Sequence, residues 1–182
     1  MRWPDTGLPF MPTSPNVQDF ASVVGYAMTG LGCEIGGFSH GVGRSYPFRG
    51  ISYKGKTAEQ LEQALRELNL PGVGFTRVSA PDGAGKPTTG VYIEVSDWDA
   101  WRPADLSFYL MRLACRWSPT NPFASASADK LSLFKKLVGS GAWCNALRRE
   151  GARVDVEGFL SDWRNRALVY QQQSRRYWLY PE

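Results

Sequence analysis

Apolar residues recur every three or four positions in several stretches of the chain, which is the spacing of a helix that covers a hydrophobic core. The first such stretch is VQDFASVVGYAM. Asn16 stands directly before it, so the pattern predicts a helix with Asn16 at its N-cap. The next stretch, AEQLEQALRELNL, follows Thr57, which forms a capping box with Gln60. The N-terminal part of the chain is therefore expected to contain two capped helices.

Strand spacing is found in the middle of the chain, where apolar and polar residues alternate. VGFTRV (residues 73–78) and GVYIEV (residues 90–95) are two such runs, and the segment between them, SAPDGAGKPTTG, is rich in turn residues. In the second run the three apolar β-branched residues fall on one side, as expected for a half-buried strand. A shorter run, LGCEI at residues 31–35, is predicted as a further strand.

Four further helical patterns fill the C-terminal half of the chain. They are PADLSFYLMRLACRW, DKLSLFKKLVGS, AWCNALRREG and VEGFLSDWRNRALVYQQQSRR. Residues 118–128 are expected to form an internal linker, residues 1–16 an extended N-terminal lead-in, and the aromatic tail YWLYPE to dock back on the core. Strands flanked by several amphipathic helices predict one compact α+β domain over residues 1–182, with a small β-sheet.

Composition narrows the class of protein. With 43% apolar and 21% charged residues, the 182-residue chain has the make-up of an ordinary globular protein. No apolar run approaches the roughly 20 residues that a membrane span needs. The N-terminus lacks the apolar core of a secretory signal, which predicts a cytoplasmic protein or export by a route that does not use one. Three cysteines without Cys-x-x-Cys spacing and a single histidine argue against a zinc site, so neither a metal nor another cofactor is expected.

The excess of positive charge is modest and uneven. The formal net charge is +4, and basic residues gather near the C-terminus in ALRREGAR, DWRNR and QSRRYW. Such an excess favours an acidic partner, but it does not choose between nucleic acid, a cell-wall polymer and lipid headgroups.

The densest group of chemically active residues is GFSHGVGRSYPFRG, residues 37–50, which contains the only histidine of the chain, His40. Its glycines match neither a P-loop nor a dinucleotide-binding fingerprint, and no Gly-x-Ser-x-Gly elbow marks a nucleophile. His40 is therefore a weak catalytic candidate, and a solvated or hydrogen-bonding side chain is the alternative.

Glycosidic chemistry normally needs two carboxyl groups that flank the scissile bond. Glu34 stands just before the loop, where an acid can point into a cleft, and it is the candidate catalytic acid. The alternative is that Glu34 forms an ion pair with Arg44 or Arg49. Asp97 and Asp99, in EVSDWDAWRP, are expected to accept hydrogen bonds from turn amides.

Several segments occur in an order that is more specific than any one of them. They are MPTSPN (residues 11–16), CEIGGFSHGVGRSYPF (33–48), LNLPGVGFTRV (68–78), GVYIEVSDWDAWRP (90–103) and the closing YWLYP. Together they resemble the C-terminal region of the exo-β-N-acetylmuramidase family, long known only as a domain of unknown function and associated with peptidoglycan recycling. The resemblance runs through nearly the whole chain.

This resemblance implies a domain arrangement and a ligand. In that family a Rossmann-like N-terminal domain precedes this region, and the saccharide site lies in the cleft between the two. The present chain starts at about the point where the N-terminal domain should end. The resemblance therefore implies a glycan-facing half that binds a peptidoglycan-derived saccharide and acts with a separately encoded catalytic half.

The resemblance also implies site residues. The positions that match the family's motifs are Ser14, Pro15, Asn16, Glu34, Ser39, Gly41, Gly43, Pro47 and Phe48. The family usually has an acid where His40 stands, an arginine where Val42 stands and a threonine where Arg44 stands. Arg44 or Arg49 is then left to bind the lactyl carboxylate of muramic acid. The implied saccharide contacts are Ser14, Asn16, Ser39, Arg44, Tyr46 and Arg49, with Phe38, Tyr46 and Phe48 as an aromatic platform.

Three functions remain open at this point. The resemblance implies recognition of peptidoglycan saccharides that contain N-acetylmuramic acid, as the C-terminal half of a muramidase-like enzyme. The second is a self-sufficient glycan-cleaving muramidase, a glycoside hydrolase that uses Glu34. The third is a basic module that binds nucleic acid or a protein partner through the C-terminal helix, although nucleic acid is not the expected partner. Turnover of muropeptides by the isolated chain separates the first two, and steep salt dependence of binding marks nucleic acid.

Overall fold

Four strands and six α-helices are found in a computed structural model that describes residues 3–31, 33–43 and 45–179, with the backbone alone described for Trp3, Pro4, Cys33 and Glu34. The helices are α1 (Phe20–Thr29), α2 (Ala58–Arg66), α3 (Pro103–Trp117), α4 (Ala128–Val138), α5 (Gly141–Glu150) and α6 (Val156–Ser174). The strands are β1 (Phe38–Ser39), β2 (Gly50–Tyr53), β3 (Val73–Pro81) and β4 (Pro87–Val95). Short 3₁₀ helices cover Trp3–Thr6, Cys33–Gly36, Gly151–Arg153 and Arg175–Tyr177.

The sheet is antiparallel, and its strands lie in the order β1-β2-β4-β3. The two runs predicted as strands form the β3–β4 hairpin, which pairs from Val73 opposite Val95 to Pro81 opposite Pro87. Asp82 closes the hairpin, because its Oδ1 accepts hydrogen bonds from the amides of Ala84 and Lys86, both at 2.9 Å. The predicted strand pair is confirmed and extends further toward its turn than the alternation suggested.

The helix α3 forms the centre of the hydrophobic core. Its Phe108 packs against Trp143 of α5 with the ring centroids 4.8 Å apart, and the indole nitrogen of Trp143 donates to Met111 Sδ at 3.0 Å. Ile51 of β2 and Val91 and Ile93 of β4 supply the buried face of the sheet. The prediction of one compact α+β domain is confirmed. No helix within the described ranges is long and apolar enough to cross a bilayer.

Two of the cysteines also belong to this core. Cys115 and Cys144 are buried and carry free thiols. Burial raises the pKa of the Cys115 thiol to about 11, so the reactive thiolate is scarce at neutral pH. Their role is that of small apolar side chains.

Side-chain caps mark the starts of α1 and α2, and the predicted cap was right for α2 and wrong for α1. Thr57 Oγ1 accepts from the amide of Gln60, and Gln60 Oε1 accepts from the amide of Thr57, both at 3.1 Å, so the predicted capping box is confirmed. The prediction of Asn16 as the N-cap of α1 is wrong. Asp19 is the cap, because its Oδ1 accepts from the amide of Ser22 at 2.7 Å and the helix begins at Phe20.

The predicted strand at residues 31–35 is also wrong. Residues Cys33–Gly36 form a 3₁₀ helix instead, while Gly32 lies outside the described residues. A Cβ on Gly36 would lie 2.6 Å from Cβ of Ala114, so this backbone runs directly against α3. Gly37 then turns the chain with a φ of +82°. Contact with a helix, rather than with a strand, decided the local conformation.

The segment between α3 and α4 is held against the domain by hydrogen bonds and by packing. Asn121 Nδ2 donates to the carbonyl of Leu147 at 2.8 Å, and its Oδ1 accepts from the amide of Phe123 at 3.0 Å. Phe123 is fully buried.

The predicted docking of the aromatic tail on the core is wrong, because Tyr177, Trp178 and Leu179 are all exposed. Residues 180–182 lie outside the described part of the chain.

Candidate functional site

A cleft of about 690 Å³ separates the turn before α1 from the glycine-rich loop that precedes β2. We call it the loop cleft. The described residues that line it are Pro15, Asn16, Gln18, His40, Gly41, Gly43, Pro47 and Phe48. Two segments about 25 residues apart in the chain therefore form one concave surface.

The turn on one side of the cleft is held by its own polar side chains. Ser14 Oγ accepts from the amides of Asn16 at 3.3 Å and Val17 at 3.1 Å, and the amide of Val17 also donates to the Ser14 carbonyl at 3.1 Å. Gln18 Nε2 donates to the carbonyl of Pro15 at 2.7 Å. The cap of α1 follows at once, and hydrogen bonds from the Ser22 hydroxyl and amide lower the pKa of Asp19 below its usual value. The start of α1 thus fixes the position of the turn.

The loop on the other side closes on itself. The amide of Phe48 donates to the carbonyl of His40 at 2.7 Å, which joins the two ends of the cleft-lining segment. Two tighter turns follow. The amide of Arg49 donates to the carbonyl of Pro47 at 2.8 Å, and the amide of Gly50 donates to the carbonyl of Tyr46 at 2.9 Å. These backbone bonds tie residues 46–50 together and to the carbonyl of His40, beside the cleft.

Phe48 has a strained backbone at the cleft wall. Its φ is +60°, a conformation that costs a residue with a bulky side chain about 1–3 kcal/mol. The hydroxyl of Thr29, at the end of α1, donates to the Phe48 carbonyl at 2.8 Å. The Phe48 ring meets Tyr26 edge to face with centroids 5.1 Å apart. Contacts from α1 therefore hold Phe48 in this conformation, as is common at binding sites.

Glycines allow this close approach of α1 and the loop. A Cβ on Gly25 would lie 2.7 Å from the carbonyl carbon of Phe48 and 2.8 Å from the amide nitrogen of Arg49. Gly43 has a φ of +56°, and a Cβ there would lie 2.3 Å from the Pro81 carbonyl oxygen. Sequence reasoning missed Gly25, Thr29 and the strain at Phe48. The signal for Gly25 was a lone glycine inside a helical pattern.

Of the six implied saccharide contacts, the structure brings Asn16 into the cleft lining, together with His40, the weak catalytic candidate. Ser14 shapes the turn beside it. Ser39 is exposed in β1 and is not among the lining residues. Tyr46 packs edge to face on Tyr92, with centroids 5.5 Å apart, and also lies outside the lining.

The aromatic platform is smaller than expected. Phe38 is buried against Tyr53, with centroids 4.9 Å apart, so its ring is not available to a ligand. Of the three aromatic residues implied by the resemblance, Phe48 is the one that lines the cleft.

Arg49 holds the sheet in place. Its Nε donates to the carbonyl of Ile93 at 2.7 Å, and its guanidinium lies 4.6 Å from the centre of the Tyr92 ring.

Arg44 lies outside the described residues, and so does the side chain of Glu34. Asp97 accepts from the amides of Asp99 at 2.9 Å and Ala100 at 3.2 Å, which confirms its predicted role in a turn.

The described lining offers polar recognition and no acid. It combines two carboxamides, backbone groups at glycines and one aromatic ring, while both ring nitrogens of His40 are buried, and no carboxylate is found among these residues. Such a surface suits a hydroxyl-rich ligand that accepts and donates hydrogen bonds. In the described part of the chain no cluster of histidine, cysteine or carboxylate side chains has the geometry of a metal site.

A second cavity has a comparable size but a different character. It measures about 630 Å³ and lies at α4 and α5, where Lys135, Lys136 and Arg148 contribute to its wall. These cations stand in the last turns of their helices, where positive charge offsets the helix dipole. None of the residues that the sequence singled out lies there, so the loop cleft is the stronger candidate.

Comparison with known proteins gives concordant results. The model of the family described as "Exo-beta-N-acetylmuramidase NamZ, C-terminal" matches residues 24–180. The chain is 28% identical over 185 residues to the peptidoglycan beta-N-acetylmuramidase NamZ of Bacillus subtilis, covering 99% of this chain and 42% of that protein. A crystal structure of a DUF1343 family protein from Bacteroides fragilis superposes with a TM-score of 0.80 at 26% identity, over 100% of this chain and 48% of that one. The chain thus spans less than half the length of either relative.

Proposed function

Because the chain belongs to the family of NamZ C-terminal domains, part of a peptidoglycan muramidase family, we propose that it recognises saccharides containing N-acetylmuramic acid through the loop cleft. The observation that carries this proposal is the cleft itself. It joins the Ser-Pro-Asn turn and the glycine-rich loop, two of the segments that carry the resemblance of the sequence to the family.

The chemistry of the lining supports a sugar as the ligand. Asn16 and Gln18 each offer a carboxamide that both donates and accepts, which suits hydroxyl and acetamido groups. Phe48 presents an aromatic ring, and the apolar face of a pyranose packs on such rings. The fixed turn and the strained, anchored loop reduce the entropy that binding would otherwise cost.

We further propose that hydrolysis needs a separate catalytic half. Glycoside hydrolysis uses two carboxyl groups, and the described lining of the loop cleft has none. Each missing proton-transfer role lowers the rate on the order of 10²–10⁴-fold. The relatives are more than twice as long as this chain, which leaves room in them for a second domain that supplies these groups.

The lactyl carboxylate of muramic acid is negatively charged, and we propose that the guanidinium of Arg44 binds it. Arg49 is engaged by the Ile93 carbonyl and the Tyr92 ring, so it is poorly placed to reach a ligand as well. Arg44 follows Gly43, which lines the cleft. A guanidinium there would bind a carboxylate through two parallel hydrogen bonds.

The test is calorimetric binding of a muramic-acid-containing disaccharide to the wild-type chain and to Asn16→Ala, Arg44→Ala and Arg49→Ala. We expect weak binding by wild type and a loss of about tenfold or more for Asn16→Ala and Arg44→Ala, since each removes a hydrogen-bonding partner of the ligand. Lys130→Ala, an exposed cation on α4, is the matched control and is expected to bind like wild type. Arg49→Ala is expected to lower stability more than affinity.

Product release measured on the same samples separates the remaining functions. Fast turnover by wild type that is abolished in Glu34→Gln would overturn the need for a second half and establish a self-sufficient muramidase. If no disaccharide binds and Asn16→Ala is silent, the carbohydrate proposal fails. The melting temperature of each variant, measured alone, distinguishes a lost contact from a lost fold.

A further inference from the structure

The cavity at α4 and α5 has the size of a ligand site and lies apart from the residues proposed to bind the saccharide. We call it the α4–α5 cavity. Its volume of about 630 Å³ falls within the range of about 300–1,000 Å³ that is usual for small-molecule sites. Its wall is formed by the segment before α4, by α4 and by α5, and it shares no lining residue with the loop cleft. A ligand bound here would therefore be a different one.

One face of α4 forms most of this wall. Leu131 and Lys135 are four residues apart, and so are Ser132 and Lys136, so each lysine stands about one helical turn beyond another wall residue. Arg148, in the last turn of α5, contributes from the neighbouring helix. Three cations on two helices therefore border one cavity.

These three cations have no counter-ion within the described part of the chain. Lys135, Lys136 and Arg148 form no ion pair there, and the described wall of the cavity contains no carboxylate. The next residue along α5 differs, because Arg149 is paired with Glu150. Like charges gathered around one cavity repel one another, and a bound anion relieves that repulsion.

Two other cavities that have cations in their walls also contain acids. At α2 and β3, Glu62 pairs with Arg66 at 2.8 Å and with Arg77 at 3.0 Å. At α2 and α3, Glu67 stands in the same wall as Arg112 and two further arginines. Cations in the last turn of a helix offset its dipole, but that role does not require a cavity without acids. The α4–α5 cavity therefore has a charge pattern that the helix dipoles alone do not explain.

We propose that the α4–α5 cavity binds the phosphate group of a small phosphomonoester. Such a group carries a charge of about −1.5 to −2 at neutral pH, which matches three cations better than the single charge of a carboxylate does. The guanidinium of Arg148 forms two parallel hydrogen bonds to phosphate oxygens, while the flexible ammonium groups of Lys135 and Lys136 bind as point charges. The hydroxyl of Ser132 adds a neutral donor in the same wall.

The rest of the wall indicates that the phosphate is attached to an organic group. Ala126, Ala128 and Leu131 are apolar, and they line the same cavity as the cations. An inorganic ion leaves this apolar surface in contact with water, whereas an organic phosphate covers it. A phosphodiester carries one negative charge per phosphate and so matches three cations less well than a monoester.

The experiment is calorimetric titration of the full chain with phenyl phosphate, inorganic phosphate and phenyl sulfate, at a fixed ionic strength of about 0.15 M. We expect phenyl phosphate to bind several-fold more tightly than inorganic phosphate, which lacks the ring, and than phenyl sulfate, which carries one charge.

Substitutions in the wall test where phenyl phosphate binds. Lys135→Ala, Lys136→Ala and Arg148→Ala are each expected to weaken its binding about threefold, and the double variant Lys135→Ala, Arg148→Ala about tenfold. Lys130→Ala is the matched control, because Lys130 is exposed on α4 but is not part of the wall, and it is expected to bind like wild type.

Stability and saccharide binding serve as independent readouts. Lys135, Lys136 and Arg148 are exposed, so the melting temperatures of the free variants are expected to match wild type. The variants are also expected to keep the disaccharide affinity of wild type, which separates the outcome for this cavity from the outcome for the loop cleft.

Three results would overturn the proposal. The first is a wild type that binds no phenyl phosphate at millimolar concentrations. The second is an equal loss of binding in Lys130→Ala, which would show diffuse attraction to a basic surface rather than a site. The third is phenyl sulfate binding as tightly as phenyl phosphate, because the cavity would then not select the doubly charged group.

Discussion

The glycine-rich loop and the C-terminal residues 165–179 have opposite compositions and opposite surroundings. Residues 40–50 have few large apolar side chains, yet the described ones, 40–43 and 45–50, are held by backbone bonds and by close contacts with α1 and the sheet. Residues 165–179 carry six large apolar side chains, and none of these is buried. Composition alone suggests the reverse, a loose loop and a docked tail.

The difference teaches that a glycine can indicate close backbone packing as readily as conformational flexibility. Gly25 lets the backbone of α1 touch the backbone of the loop, because a Cβ there would overlap Phe48. Aromatic residues, in turn, mark surface that must be covered, without saying whether this chain covers it. Three sets of substitutions test the contrast.

The largest effect is expected from Gly25→Ala. Alanine normally stabilises a helix interior by about 1 kcal/mol relative to glycine. Here the new Cβ would overlap Phe48 and Arg49, so we expect the free energy of unfolding to fall by about 2–3 kcal/mol. Urea denaturation measures this change.

The control for that variant is Gly141→Ala, since a Cβ at Gly141 meets nothing within 4 Å. We expect Gly141→Ala to leave the free energy of unfolding unchanged or raised. If Gly25→Ala is also neutral or stabilising, the loop is not packed against α1 as described.

A smaller effect is expected from Thr29→Val. Valine keeps the shape of threonine but removes the hydroxyl that donates to the Phe48 carbonyl at 2.8 Å. The unpaired carbonyl should cost about 1–2 kcal/mol of unfolding free energy and loosen the strained wall of the cleft. Disaccharide affinity is therefore expected to fall with stability.

Thr88→Val is the matched variant, because Thr88 Oγ1 donates to the Ala80 carbonyl at 2.7 Å, within the β3–β4 hairpin and outside the cleft lining. We expect Thr88→Val to lower stability and to leave disaccharide affinity unchanged. Equal losses of affinity in both variants would show that the strain at Phe48 has no part in binding.

The smallest effect is expected from Tyr170→Ser in dilute protein. Tyr170 is exposed, so its loss should change the free energy of unfolding by less than about 0.5 kcal/mol. Leu160→Ala, in the packed half of the same helix, is expected to cost about 2–4 kcal/mol and shows that the assay detects α6. A loss above about 1 kcal/mol for Tyr170→Ser would mean that residues 165–179 pack on their own domain.

Some of this protein is determined by the sequence alone. The capping box at Thr57 and the β3–β4 hairpin depend on residues close together in the chain, and the α+β class follows from the periodicities of the same segments. Part of the lining of the loop cleft could also be predicted from the sequence. Asn16 was singled out by the family resemblance and His40 as the only histidine of the chain, and both line the cleft.

The start of α1 was decided by a short local turn, because Ser14–Val17 takes up Asn16, so that Asp19 is the N-cap and the helix begins at Phe20. The rest was decided by contacts between distant segments. Packing of Gly36 on α3 makes residues 33–36 a 3₁₀ helix, and the bonds of Arg49 to the sheet remove it from the ligand side. The end of α6 stays uncovered because the domain stops before the helix does. Periodicity encodes which face of a helix seeks burial, whereas only the tertiary structure decides whether something lies there to bury it.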